Sequence, residues 1–108
     1  MFSRKAKLIT AIGLAFVLTG AMKIDNSTRP AADIERDAAR KPAAMVRFSQ
    51  IKSGQTVVDL LPGGGYFSRI FSQAVGPNGK VVALVSDQYT AVYPKARTDI
   101  EEIGRAHV

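Results

Sequence analysis

The apolar positions of this chain change their spacing along its length, and each change marks an element. Leu8–Met22, LITAIGLAFVLTGAM, is a run of fifteen residues without a charge, preceded by the basic stretch Met1–Lys7. Residues 22–32 follow with Asp25, Asn26, Ser27, Thr28 and Pro30 and little to bury, and read as a flexible leader. From Asp33 the period turns helical. Asp33 stands in a capping position, and Ile34 and Ala38 lie four apart in a short helix through Arg40. Pro42 disfavours helical geometry at Lys41 and suits the first turn of a second helix. There Met45, Phe48 and Ile51 recur at a spacing of three and predict a packing stripe, with Gly54 closing the segment.

The next stretch predicts a βαβ unit. Thr56–Leu61, TVVDLL, has the aliphatic continuity of a strand buried on both faces. Pro62-Gly63-Gly64-Gly65 follows it. Within Tyr66–Val75, Phe67, Ile70, Phe71, Ala74 and Val75 keep the rhythm of an amphipathic helix. Gly76-Pro77-Asn78-Gly79 ends that helix, and Lys80–Val85, KVVALV, predicts a second strand parallel to the first. Asp87–Tyr93 reads as a loop. Lys95–Ile103 reads as a helix with Ile100 and Ile103 on one side and Gly104 near its end. The class is α/β.

Composition narrows the chemistry. A chain of 108 residues with no cysteine, 46% hydrophobic and 22% charged, makes one modest domain at most. Cysteine-free, it has no disulfide framework, thiolate metal site or thiol nucleophile. His107 is the one histidine, so a catalytic histidine cluster is excluded. The net charge is +6, but Arg4, Lys5 and Lys7 supply half of that excess before the first acid. The remainder is too mild and scattered for a nucleic-acid partner, and Tyr89 and Tyr93 have few basic neighbours to make a base-stacking platform. Asp99, Glu101 and Glu102 read as a solvated face where a helix start favours negative charge, and Arg36, Arg40 and Arg47 as surface charges, the alternative being a role over the entrance of a ligand site.

The N-terminal run is an address. About 20 apolar residues are needed to cross a bilayer, so this core is short for a permanent anchor. A basic start followed by a core of this length matches a secretory signal peptide over residues 1–21, with small residues for cleavage after Ala21. The pattern also resembles a lipoprotein signal, but Ala21 occupies the position that needs cysteine, which forbids lipid attachment. The expectation is a protein exported to the periplasm or secreted, the alternative being an N-terminal anchor in the inner membrane. Membrane contact is expected only through that segment.

Three successive glycines between a strand and a helix cost conformational entropy. A tight turn would often need one. A ligand lying against bare backbone accounts for three, and the amides opening the Tyr66 helix favour its anionic group. Asp59, near the end of the strand, is suited to holding an ammonium. A zwitterionic amino-acid group satisfies both features. The dinucleotide fingerprint fails, because Gly63-Gly64-Gly65-Tyr66-Phe67-Ser68 lacks its third glycine and Asp59 would repel a pyrophosphate. No Gly-Lys-Ser/Thr follows, so a phosphate-binding P-loop is excluded.

With those residues in view, VVDLLPGGGYFSRIFSQAVGPNGKVVALV resembles the first motif, first helix and second strand of class I S-adenosylmethionine-dependent methyltransferases. With the preceding ARKPAAMVRFSQIKSGQT, it is closer still to a group of predicted bacterial methyltransferases carrying signal peptides. The resemblance covers about Asp33 to Val85. It implies a partial Rossmann-like methyltransferase fold over residues 33–108, with S-adenosylmethionine as cofactor. Asp59 would contact the methionyl amino group, directly or through water, Gly63 and Gly65 would admit the cofactor to the backbone, and Pro62, Gly64 and Tyr66 would line the same loop. Two positions depart from the family pattern. Leu61 replaces the usual first glycine, and Val85 falls where an acid binds the ribose. Asp87 takes that role if the loop bends back and is otherwise a surface carboxylate.

Class I sheets have seven strands and this chain predicts two, so it is expected to be the N-terminal portion of a longer protein, inactive alone. The uncovered sheet invites self-association. The methyl acceptor is not specified by any visible element. The alternative is a non-catalytic extracytoplasmic binding or interaction protein that retains the glycine loop. An NAD-type oxidoreductase is disfavoured by the missing glycine.

Overall fold

Pro30 opens the first helical turn, and from there the chain runs through short helices into a βαβ unit. The structure, a computed structural model, describes residues 22–105. Met1–Ala21, with the expected signal peptide, and His107 lie outside those residues. No helix among the described residues is long and apolar enough to cross a membrane.

The expected first helix is two: α1, Ala31–Ile34, and α2, Asp37–Arg40, separated by Glu35 and Arg36. Asp33 sits in the first turn of α1 rather than at its cap, where Pro30 stands, and its carboxylate is buried. Lys41 is left-handed, φ 47° and ψ 58°, outside the right-handed helical region that the ring of Pro42 disfavours, and Pro42 starts α3, Pro42–Ser49. The expected packing stripe is corrected. Met45 and Phe48 are 43% and 83% exposed, and α3 instead buries Pro42 and Val46, one helical repeat apart. Gln50, also left-handed, ends the helix, so Ile51 reaches the core from the following loop.

The βαβ unit forms as expected. Strands β1, Thr56–Asp59, and β2, Lys80–Ala83, pair in parallel from Thr56↔Lys80 to Asp59↔Ala83. Helix α4, Tyr66–Val75, crosses between them and packs on both. Both strands end two residues early. Leu84 N–H donates to Asp59 O at 2.9 Å, after which the chains diverge and leave Leu60, Leu61 and Leu84 exposed. Burial of β1 on both faces is also corrected: Val57 and Asp59 are half-buried and alternate with exposed Thr56 and Val58, the pattern of a strand covered on one side. At the return turn a Cβ on Gly79 would collide with Val75 Cβ and stand 2.6 Å from Val75 O. Only glycine lets the chain enter β2 this close to α4.

Val46, Tyr66 and Ile70 form the core, with Ile51, Phe67 and Ala74 packed against it. Met22 and Ile24 join them from the stretch expected to be a flexible leader. That stretch is pinned to α4: Asp25 N–H donates to Gln73 Oε1 at 2.9 Å, and Gln73 Nε2 returns a bond to Asp25 O at 2.8 Å. The expected loop after β2 is instead a helix, α5, Asp87–Val92, because Ser86 Oγ accepts Tyr89 N–H at 3.1 Å and caps it. Helix α6, Ala96–Arg105, follows, with Ala96 buried and Ile100 and Ile103 half-buried against the glycine loop.

Candidate functional site

The three glycines do different work. Gly65 has φ 90°, and a Cβ there would run into Ile103 Cδ1 and lie 3.3 Å from Ile100 Cδ1, so α6 requires a glycine at this position. Its amide is already used, donating to Pro62 O at 2.8 Å. Gly63 has φ 54°, a conformation that L side chains resist, and its Cβ direction meets only the Tyr89 hydroxyl at 3.8 Å. Gly64 faces open space, with nothing within 4 Å of a Cβ. The amides of Gly63 and Gly64 have no partner among the described residues.

Two clefts share the lip Leu61-Pro62-Gly63. One, of about 590 Å³, lies at the carboxyl ends of the strands and is mostly apolar, with Leu60 and Leu84 from the strand ends and Ser86 and Tyr89 from α5 and its cap. Ligands of open α/β sheets bind at this end of the strands. The other, of about 300 Å³, is polar and holds Asp59, Arg36, Arg40, Gly64 and Tyr66. Asp59 Oδ2 accepts the Ser68 hydroxyl at 2.8 Å, and Oδ1 accepts Leu61 N–H at 3.3 Å. An ionised carboxylate offers about four acceptor sites, so two remain for a ligand.

Behind the polar cleft the loop is anchored by a charged cluster. Arg29, its side chain 1% exposed, grips Asp37 with both terminal nitrogens at 2.7 Å and Asn26 Oδ1 at 2.7 Å. The guanidinium holds the Asp37 carboxyl down to about 2, and Asp37 in turn raises the affinity of Arg29 for its proton. The Tyr66 hydroxyl donates to Asp37 Oδ1 at 2.6 Å, and burial, then this carboxylate, pushes its pKa up. Arg40 lies over the Tyr66 ring at 4.5 Å. Asp33 is paired with Arg69 at 2.8 Å, and Arg69 also donates to Gly64 O at 3.0 Å.

The structure therefore brings Asp59, Pro62, Gly63, Gly64 and Tyr66 to one cleft. Gly65 lies beneath, committed to α6. Asp87 lines neither cleft: it stands at the start of α5, its side chain 96% exposed, and pairs with Arg97 at 3.0 Å. Sequence reasoning missed Tyr89 as a cleft residue, and it gave Arg36 and Arg40 a place at a site entrance only as the alternative to surface charge. Tyr89 was legible in principle from the Ser86 cap, since a helix there returns Tyr89 toward the loop. Nothing local in the sequence signals Arg29. No group of three or more histidine, cysteine or carboxylate side chains among the described residues is placed to hold a metal.

A family model described as Protein-L-isoaspartate(D-aspartate) O-methyltransferase (PCMT) matches residues 25–108. Methyltransferases of that family use S-adenosylmethionine as methyl donor. No curated protein and no solved structure gives a significant match.

Proposed function

The chain belongs to the protein-L-isoaspartate(D-aspartate) O-methyltransferase family, and from that premise we propose that it is the S-adenosylmethionine-binding portion of an exported methyltransferase. The observation that carries this reading is the pair of amides at Gly63 and Gly64 with no partner among the described residues, Gly63 on the lip between an apolar and a polar cleft and Gly64 lining the polar one together with Asp59. The cofactor supplies an electrophilic methyl on a sulfonium. This chain's residues bind and orient it. Asp59 accepts from the ammonium, the loop amides meet the carboxylate, and Leu60, Leu84 and Tyr89 exclude water from the adenosyl group. Export rests on the basic start and charge-free core of residues 1–21.

A second reading, an exported binding protein without transfer activity, is favoured by one feature. Leu61, 88% exposed, stands on the lip where the family pattern has glycine. Both readings predict cofactor binding, and activity separates them. Calorimetry with S-adenosylhomocysteine should show one site, and Gly63→Val, which forces a β-branched residue to φ 54°, should weaken binding at least tenfold. Normal binding by Gly63→Val would refute this placement of the site. Transfer of a labelled methyl group to an isoaspartyl peptide, the first acceptor to try given the family, would exclude the second reading.

A further inference from the structure

Resting on that cofactor-binding reading, we infer that Arg36 and Arg40 are the carboxylate grip of the site, binding the amino-acid end of the cofactor opposite Asp59. The two arginines are four residues apart, Arg36 in the break between α1 and α2 and Arg40 closing α2, and both line the polar cleft. Among the described residues neither pairs with a carboxylate. The acids around them are engaged elsewhere: Asp33 with Arg69, Asp37 with Arg29, and Asp59 with the Ser68 hydroxyl. Among the described residues Arg40 meets the face of the Tyr66 ring, which positions a guanidinium without neutralising it.

Like charges four apart on a helical path repel, so this pair costs the fold stability. A ligand anion offsets that cost. The same cleft holds the Asp59 carboxylate and the unpartnered amide of Gly64, which together select a particular charge pattern. A dianion would meet Asp59 and be repelled. A neutral ligand would leave both guanidinium groups unused. A zwitterionic α-amino acid places its carboxylate between the arginines and the Gly64 amide and its ammonium on Asp59. The rest of the ligand then passes over the lip at Leu61–Gly63 into the larger apolar cleft.

The test compares two ligands on the full chain. S-adenosylhomocysteine carries the amino-acid group, and 5′-methylthioadenosine keeps the adenosyl part without it. Arg36→Gln and Arg40→Gln should each weaken S-adenosylhomocysteine roughly tenfold, as loss of a charged hydrogen bond does, and leave 5′-methylthioadenosine unchanged. Arg36→Lys should recover part of the loss. Because Arg40 also stacks on Tyr66, Arg36→Gln is the deciding variant, with melting curves to show that the fold is intact. An unchanged S-adenosylhomocysteine affinity in Arg36→Gln, or an equal loss for both ligands, overturns the inference while leaving the cofactor site standing. Failure of the unaltered chain to bind either ligand removes the site itself, and the inference with it.

Discussion

Replacing Asp37 by Asn tests whether the buried charged cluster holds the glycine loop in place. Arg29 is almost fully enclosed and spends two of its donors on Asp37. Removing one partner of a buried pair strands the other charge, at about 3–5 kcal/mol. Asp37 keeps 25% of its side chain exposed, which places the cost near the low end, about 3 kcal/mol. Linkage gives a second figure from the same contact. A carboxyl lowered from 3.8 to about 2 contributes about 2 kcal/mol at neutral pH. The sign follows from the depressed value. The contribution is complete above pH 4, falls as the pH drops through the folded-state value near 2, and is lost below it. Thermal and urea unfolding followed by circular dichroism should therefore show Asp37→Asn melting roughly 10–20 °C below the unaltered chain at pH 7. The gap should close between pH 4 and pH 2, where protonated Asp37 resembles the variant. If Asp37→Asn fails to fold, Tyr66→Phe removes the 2.6 Å bond alone and should cost about 1 kcal/mol. A gap below a few degrees at pH 7, or one that persists undiminished at pH 2, would refute the assignment of this stability to the Arg29–Asp37 pair.

Two further substitutions probe the packing around the site. Gly65→Ala should destabilise by about 2–4 kcal/mol in urea unfolding, because a Cβ meets Ile103 and the residue is held at φ 90°. Its cost should be smaller in an Ile103→Ala background, and strict additivity of the two changes would show that the contact is not the cause. Ser86→Ala should cost about 1 kcal/mol by uncapping α5. Faster amide exchange confined to Tyr89 and its neighbours would locate the effect, and unchanged exchange there would dismiss the cap.

The βαβ unit is legible in the sequence because its signals are local and agree. Tyr66–Val75 carries an unbroken helical period with glycine at each end, and the structure has the helix over those residues. The strands stop two residues before their composition does. Leu60, Leu61, Leu84 and Val85 have strand composition, but pairing stops where the chains part to open the apolar cleft. Composition cannot register that divergence. Around α3 the difference has another source: a spacing of three fits Met45, Phe48 and Ile51, but a helix of eight residues packs through one repeat, Pro42 to Val46. The docking of residues 22–32 is invisible for a third reason. Its anchors, Asp25 to Gln73 and Arg29 to Asp37, join residues 48 and 8 apart, with no periodicity to announce them.

The glycine loop shows how one expectation can join two different causes. Three glycines imply a ligand against bare backbone, yet Gly65 is explained by α6 and its amide is spent within the loop. What remains for a ligand is narrower: the free amides of Gly63 and Gly64, and the open space over Gly64. That division separates, at adjacent positions, a glycine that packing requires from two that packing leaves open. It also explains why Tyr66 is tied so firmly to Asp37 and Arg29. The helix after the loop is fixed from behind by buried charge, which limits how far the loop carrying the Gly63 and Gly64 amides can shift. Preorganisation of this kind lowers the ordering cost of binding. In this chain it is supplied by residues that precede the βαβ unit, and the docked segment 22–40 is therefore part of the candidate site's architecture.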